Sequence, residues 1–211
     1  GRDAILALGG THLTTQAIGP KIRWLREHEP EIYGRTAMIQ SSHGYVVFRL
    51  TGEHRVDRHT ASYYTPLFDL STMTWSDQFT DEVIGLDGLP PIVESTDIAG
   101  MVTADASAIT GLPVGTPVIM GTMDAAAEAM SVGITQPGEM LVMYGSTLFL
   151  VNIVDRPHID SRLWNTAYCL PDRVAITGGL ATSGLLTTWF RDLVDGDHPT
   201  TGAVDYALLG A

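Results

Sequence analysis

Residues 116–130 read Thr-Pro-Val-Ile-Met-Gly-Thr-Met-Asp-Ala-Ala-Ala-Glu-Ala-Met, and they decide the class of fold. The apolar run 116–120 suits a short buried strand, and the alanine-rich run 125–130, ending at Gly133, suits a helix. Gly121-Thr122-Met123-Asp124 is the junction between them. Downstream, residues 140–144 and 148–154 read as two strands joined by the tight turn Gly145-Ser146-Thr147. Residues 164–170 and 173–177 read as two more strands. Gly178-Gly179 then leads into a helix whose apolar positions Leu185, Trp189, Leu193 and Leu186, Phe190 recur every four residues. Strands and helices alternate through this half of the chain, so the class is α/β.

Upstream of the junction the signals are sparser. Residues 20–29 predict a helix, with Pro20 in its first turn, Ile22 and Leu25 three apart, and Pro30 closing it. Residues 43–50 predict a second, with Ser41 or Ser42 as cap and Thr51-Gly52 as the stop. Residues 61–91 are turn-rich and read as loops and short helices.

Composition narrows the class of function. Of 211 residues, 45% are hydrophobic and 17% charged, the balance of a folded globular chain rather than a disordered one. The formal net charge is −12, and Lys21 is the one lysine beside eleven arginines. So acidic a chain is not expected to bind nucleic acid or dock on anionic membranes. No stretch approaches the roughly 20 apolar residues of a membrane span, and Gly1-Arg2-Asp3-Ala4 has no signal-peptide pattern. Cys169 stands alone, which excludes an internal disulfide and fits a reducing, cytoplasmic setting.

Three constellations could carry chemistry. At the Gly121–Asp124 junction a carboxylate can project beyond the strand end, where open α/β sheets bind ligands, and the following helix favours its ionised, proton-accepting form. The plainer reading makes Asp124 a helix cap, and the tetrapeptide alone favours that. Tyr144-Gly145-Ser146-Thr147 could cradle phosphate oxygens on amides and hydroxyls, or be an ordinary hairpin turn. Gly178-Gly179-Leu180-Ala181-Thr182-Ser183-Gly184 could let a nucleotide approach the backbone and offer helix amides to an anion, or be a close packing corner. No Walker A loop is present, which excludes a P-loop NTPase in this segment. The histidines show no metal spacing; His54 and His59, five apart, read as solvated, and no metal ligand is assigned. Cys169 reads as packed rather than reactive.

Taken in order, several segments resemble the FGGY carbohydrate kinases. Gly19-Pro20-Lys21-Ile22-Arg23-Trp24-Leu25-Arg26 followed by Glu29-Pro30 is similar to their Lys-x-x-Trp-Leu helix, and Leu50-Thr51-Gly52-Glu53 to their helix end. Asp57, Ala61-Ser62, Asp69 and Trp75-Ser76 resemble a further stretch, as do Leu89-Pro90-Pro91-Ile92-Val93 and Thr110-Gly111-Leu112-Pro113 through Thr116-Pro117-Val118. Gly121 to Asp124, Tyr144 to Thr147 and Gly178 to Leu193 complete a colinear set.

The resemblance implies an actin-like, ribonuclease-H-like α/β fold in part, spanning the end of a first domain (residues 1–137) and the start of a second (138–211), with sugar and ATP held between domains. It implies ATP-dependent phosphorylation of a sugar or polyol hydroxyl, a ketopentose such as xylulose being favoured. By position, Asp124 matches the catalytic base. Gly145, Ser146 and Thr147 match the phosphate turn, Gly184 and Thr188 positions near the nucleotide, and Gln16 a substrate contact in some members. ATP and Mg²⁺ are the implied cofactors, a small-molecule sugar or polyol the implied partner, and a homodimer an open expectation. Family members are about twice as long and carry a leading phosphate loop and a trailing adenosine site that this chain does not show, so an incomplete portion is expected. The alternatives are a catalytically incompetent fragment or non-catalytic module that keeps the fold, and a different actin-like ATPase.

Overall fold

The chain opens on a helix that the sequence reading left unassigned, α1 (Arg2–Gly9), in a computed structural model that describes residues 1–195. It has no side-chain cap at its start and ends on Gly10, whose φ of 71° lies in the left-handed region where glycine is favoured. Helix α2 (Ile18–His28) follows, and Pro30, expected to close it, instead starts α3 (Pro30–Arg35). At the first helical position its missing N–H has no intrahelical acceptor to lose. Helix α4 (Ser42–Thr51) is bounded as its residues predict: the Ser41 hydroxyl accepts from the Gly44 amide at 3.2 Å, and Gly52 ends it at φ 79°.

The turn-rich stretch folds into short pieces. Strand β1 (Val56–Asp57) runs into α5 (Arg58–Ala61), then β2 (Phe68–Asp69) pairs antiparallel with β3 (Thr74–Trp75). Strand β4 (Ile92–Val93) lies parallel to β1, with Asp57 opposite Val93. Strand β5 (Ile98–Met101), helix α6 (Ala104–Thr110) and strand β6 (Pro117–Ile119) follow, β5 and β6 pairing antiparallel with Ile98 opposite Ile119. Helix α7 (Asp124–Ser131) then starts three residues beyond Gly121.

Strands β7 (Met140–Tyr144), β8 (Leu148–Val154), β9 (Trp164–Ala167) and β10 (Val174–Leu180) form a four-stranded sheet in the order β7-β8-β10-β9. Two boundaries differ from the expectation. Strand β9 stops at Ala167, because the Tyr168 amide turns to the Arg173 carbonyl. Strand β10 runs through Gly178-Gly179 rather than ending before them, and α8 (Gly184–Asp195) begins after it.

The described chain divides into two compact units. The first is Gly1–Leu141 with Leu150–Gly178; the second is Val142–Phe149 with the described residues from Gly179 to Asp195. Residues 196–211, the last part of the expected 138–211 domain, lie outside the described residues.

Among the described residues, buried side chains of the first unit gather in clusters, three of which bear on the site. Ile22, Tyr64, Leu67, Val83, Ile84 and Leu89 join α2 to the short elements. Val56, Ala61, Phe68, Leu70 and Ala167 pack together. Val47 of α4, Ala99 of β5 and Met120 form the third, directly behind the Gly121–Asp124 junction. Each fully buried side chain of the Leu67 kind contributes about 1.5–3 kcal/mol. In the second unit the apolar positions of α8, among them Trp189 and Leu193, are exposed. No helix among the described residues is long and apolar enough to cross a membrane.

Candidate functional site

The strand-to-helix junction is held at three successive residues. The Met120 amide donates to the Asp97 carbonyl at 2.9 Å, and the Gly121 amide donates to the Ser95 carbonyl at 2.9 Å. The Thr122 hydroxyl donates to Oδ2 of Asp57, also at 2.9 Å. Gly121 turns the chain at φ 71°. Asp124 is the first residue of α7 rather than its cap; Met123 occupies the cap position and makes no side-chain cap bond. The Asp124 carboxylate is exposed and accepts from the Ala125 amide at 2.8 Å. Its charge is felt by two nearby side chains, His59 and Tyr63.

Behind the junction lies a group that belongs to one of the family-like stretches but was given no role in the site. Asp57 is fully buried and accepts from four donors: His43 Nε2 at 2.9 Å, the Thr60 amide at 3.2 Å, the Ser95 hydroxyl at 3.2 Å, and Thr122. Burial alone would raise its carboxyl, but the hydrogen bonds from His43 and Thr60 outweigh that and hold it below the ordinary carboxylate value. His59, expected to be solvated, is buried, because α5 turns its ring inward against Tyr63 and Tyr168. Its Nδ1 donates to the Ala167 carbonyl at 2.6 Å, and burial pushes its pKa down. His54 is partly buried and stacks on Phe48, with ring centroids 4.3 Å apart.

Gln16, also in the first unit, follows a local turn in which its amide donates to Thr14 Oγ1 at 3.2 Å. The ammonium of Lys21 donates to the Gln16 carbonyl. The residue lines a small cavity of about 30 Å³ with Ser62, Tyr63, Thr65, Trp164 and Thr166, a volume suited to ordered water rather than to a sugar ring. Burial raises the Tyr63 phenol to about 12, so it stays a neutral donor there. Cys169 is buried as expected, its thiol pushed up to about 11 by burial.

The second unit brings Gly145, Ser146, Gly184 and Thr188 together around an open groove of about 440 Å³, with Tyr144, Leu185 and Thr187 completing its wall. Thr147 belongs to the turn without lining the groove; its carbonyl accepts from the Gly145 amide at 2.8 Å. Ser183 and Gly184 at the start of α8 donate their amides to the carbonyls of Ser146 and Gly145, at 2.9 and 2.8 Å. The Gly184 amide is therefore spent on the turn rather than offered to an anion. The Thr188 hydroxyl likewise donates to the Gly184 carbonyl at 3.3 Å. What the turn presents is the Ser146 amide and hydroxyl, and the Tyr144 phenol bonded to Thr187 at 3.2 Å.

The family model described as FGGY family of carbohydrate kinases, N-terminal domain, matches residues 2–131. The chain belongs to the FGGY family. A probable L-xylulose kinase of Pasteurella multocida (strain Pm70) is 34% identical over 145 residues, which cover 67% of this chain and 29% of that protein. The autoinducer-2 kinase of Escherichia coli (strain K12) is 31% identical over 190 residues, 87% of this chain and 35% of its own length. Among solved structures, xylulose kinase from Rhodospirillum rubrum superposes with a TM-score of 0.90 at 32% identity, over 99% of this chain and 42% of that one. The FGGY chain described here thus spans about a third of the curated relatives, and its fold is the actin-like α/β fold in part. Asp57 had a faint sequence signal, the Asp-x-x-Thr of a helix cap; the His43 and Thr122 partners had none.

Proposed function

We propose that this chain carries the proton acceptor and the phosphate turn of a carbohydrate kinase that transfers the γ-phosphoryl group of ATP to a hydroxyl of a sugar or polyol. A ketopentose such as xylulose is the favoured substrate, in keeping with the names of the relatives. Asp124 is the general base. Its carboxylate takes the proton of the attacking hydroxyl while the new oxygen–phosphorus bond forms and the bond to the ADP oxygen breaks. The observation that carries this reading is an exposed carboxylate, on a clamped junction, at the first turn of α7.

ATP supplies the phosphoryl group when bound; Gly145, Ser146 and Thr147 would meet its phosphates, with Gly184 and Thr188 alongside, and Gln16 would touch the sugar. Among the described residues no group of three or more His, Cys, Asp or Glu forms a metal site, so Mg²⁺ has no residues of this chain assigned to it. We place the end of the first domain near residue 137. Cytoplasmic location and a homodimer belong to the same proposal.

A second reading has its own support. The Gly184 amide and Thr188 hydroxyl are satisfied internally, and the chain spans 29% to 42% of the relatives. On that reading the chain by itself keeps the fold without turning over. The test is ADP release on xylulose, ribulose, glycerol and erythritol, with Asp124→Asn alongside. Turnover that falls about 10²- to 10⁴-fold in the variant supports Asp124 as base; turnover that survives it removes Asp124 from that role. A rise in melting temperature with ATP but no turnover supports the second reading. Neither binding nor turnover rejects both.

A further inference from the structure

We propose that Asp57 is the positioning residue of the Asp124 junction, acting through Thr122, with Ser95 and His43 completing the hold. The inference rests on the reading of Asp124 as base. Asp57 itself is not catalytic. Thr60, Ser95 and Thr122 donate to its Oδ2 and His43 to its Oδ1. The side chain is fully buried, so no substrate hydroxyl reaches it.

The four donors come from four separate segments: α4, α5, the turn after β4, and the junction. A helix cap needs one bond, and the bond to the Thr60 amide already supplies it for α5. The bond to Thr122 spans 65 residues and serves no secondary structure. Ser95 binds twice in the same place, its hydroxyl to Asp57 and its carbonyl to the Gly121 amide. The junction is thus tied on two successive residues to one buried point.

Asp124 has no comparable hold of its own. The cap residue Met123 makes no side-chain bond, and the Asp124 carboxylate bonds its immediate neighbour Ala125. Where the carboxylate stands is therefore set by the residues before it. A buried charge with four good donors is rigid, because losing any of them leaves it undersatisfied in a low-dielectric setting. Small misplacements of a catalytic group cost on the order of a hundredfold per ångström, so a rigid anchor two residues from the base has a direct catalytic consequence.

Thr122→Val keeps the shape and removes the donor; Thr122→Ser keeps the donor. Asp57→Asn is the companion, with Thr122→Val deciding if that variant fails to fold. The first readout is amide hydrogen exchange on the full chain. Exchange at residues 121–125 should rise about tenfold in Thr122→Val and return to within about twofold of wild type in Thr122→Ser, with α4 and α6 unchanged. The second readout is steady-state kinetics in an active form: kcat down on the order of ten- to a hundredfold with the sugar KM within about twofold, again rescued by serine. Unchanged exchange at 121–125 overturns the positioning role. Faster exchange with unchanged kcat overturns its catalytic consequence. If wild type transfers no phosphoryl group, the kinase reading fails, and the exchange experiment still decides whether Asp57 holds the junction.

Discussion

Gly184 and Gly145 touch backbone to backbone: the Gly184 amide donates to the Gly145 carbonyl at 2.8 Å, and a Cβ at 184 would stand 2.5 Å from that oxygen. The obstacle is main chain, which cannot rotate away. Alanine at a helix start is otherwise favourable by up to about 1 kcal/mol, so the collision decides the sign.

Gly184→Ala is therefore expected to push the Gly145–Thr147 turn off the start of α8 and weaken any ligand held there. The measurement is the ATP-dependent rise in melting temperature, which should shrink in Gly184→Ala. Gly178→Ala is the control, because its Cβ would meet Leu150 side-chain atoms at ordinary contact distances of 3.8–4.0 Å. Equal ATP responses in the two variants would remove the turn from nucleotide binding.

Two glycines in helices should respond to alanine with opposite signs. In α2 a Cβ on Gly19 would run into the Thr65 carbonyl oxygen and, at 2.7 Å, the Pro66 ring. Gly19→Ala should cost about 1–3 kcal/mol. Gly34 in α3 has nothing within 4 Å of its Cβ position, and Gly34→Ala should gain about 0.5–1 kcal/mol. Urea unfolding of both variants checks the pair, and a loss at Gly34 as large as at Gly19 would count against the packing argument.

How much of this could be read beforehand depends on how local the cause is. Strands β7 and β8 fall where the apolar runs 140–144 and 148–154 place them, and the Ser41 hydroxyl caps α4 three residues ahead of Gly44. Those signals lie within a few residues of what they determine. Helix α1 has no capping side chain to announce it, and Pro30 reads equally as a stop or a start. The clamp on the junction joins positions 43, 57, 95 and 122, and no period or spacing links them. His59 reads as polar and solvated in isolation; only the fold shows that its partner is the Ala167 carbonyl, 108 residues away.

His59 should make the chain acid-sensitive. Burial lowers its pKa in the fold, against which the Ala167 carbonyl bond and the charges of Asp57 and Asp124 act the other way, while His43 adds to the lowering. The unfolded chain takes up a proton at this side chain as pH drops below about 6.5, and the fold resists it. The unfolded state then holds more protons, so stability falls with pH through the window below about 6.5. Asp57, also lowered, adds its loss in a separate window below about 4. Melting temperatures from pH 7.5 to 5 should decline in wild type and flatten in His59→Gln, whose amide can still donate to Ala167. A parallel decline in both would show that the slope arises elsewhere.

Asn165 gives the last prediction, and there the charge decides. The side chain is fully buried. Its Nδ2 donates to the carbonyls of Gly10 and His158 at 3.0 and 2.9 Å, and its Oδ1 accepts from the His158 amide at 2.8 Å. One amide thus ties the end of α1 to β9. Asn165→Ala leaves these backbone groups short of partners, at a cost of about 3 kcal/mol or more. Asn165→Asp keeps the shape but places a carboxylate oxygen against two carbonyl oxygens, so its buried charge should make it the worse of the two at neutral pH. The aspartic acid would then have a raised pKa in the fold, since its protonated form can donate again. A raised carboxyl pKa means that the folded variant binds the extra proton first, so its deficit against wild type should narrow as pH falls from 7 toward 5. Unfolding of all three proteins at each pH checks this, and a deficit that stays constant or widens on acidification would show that Asn165 fills space rather than bonding.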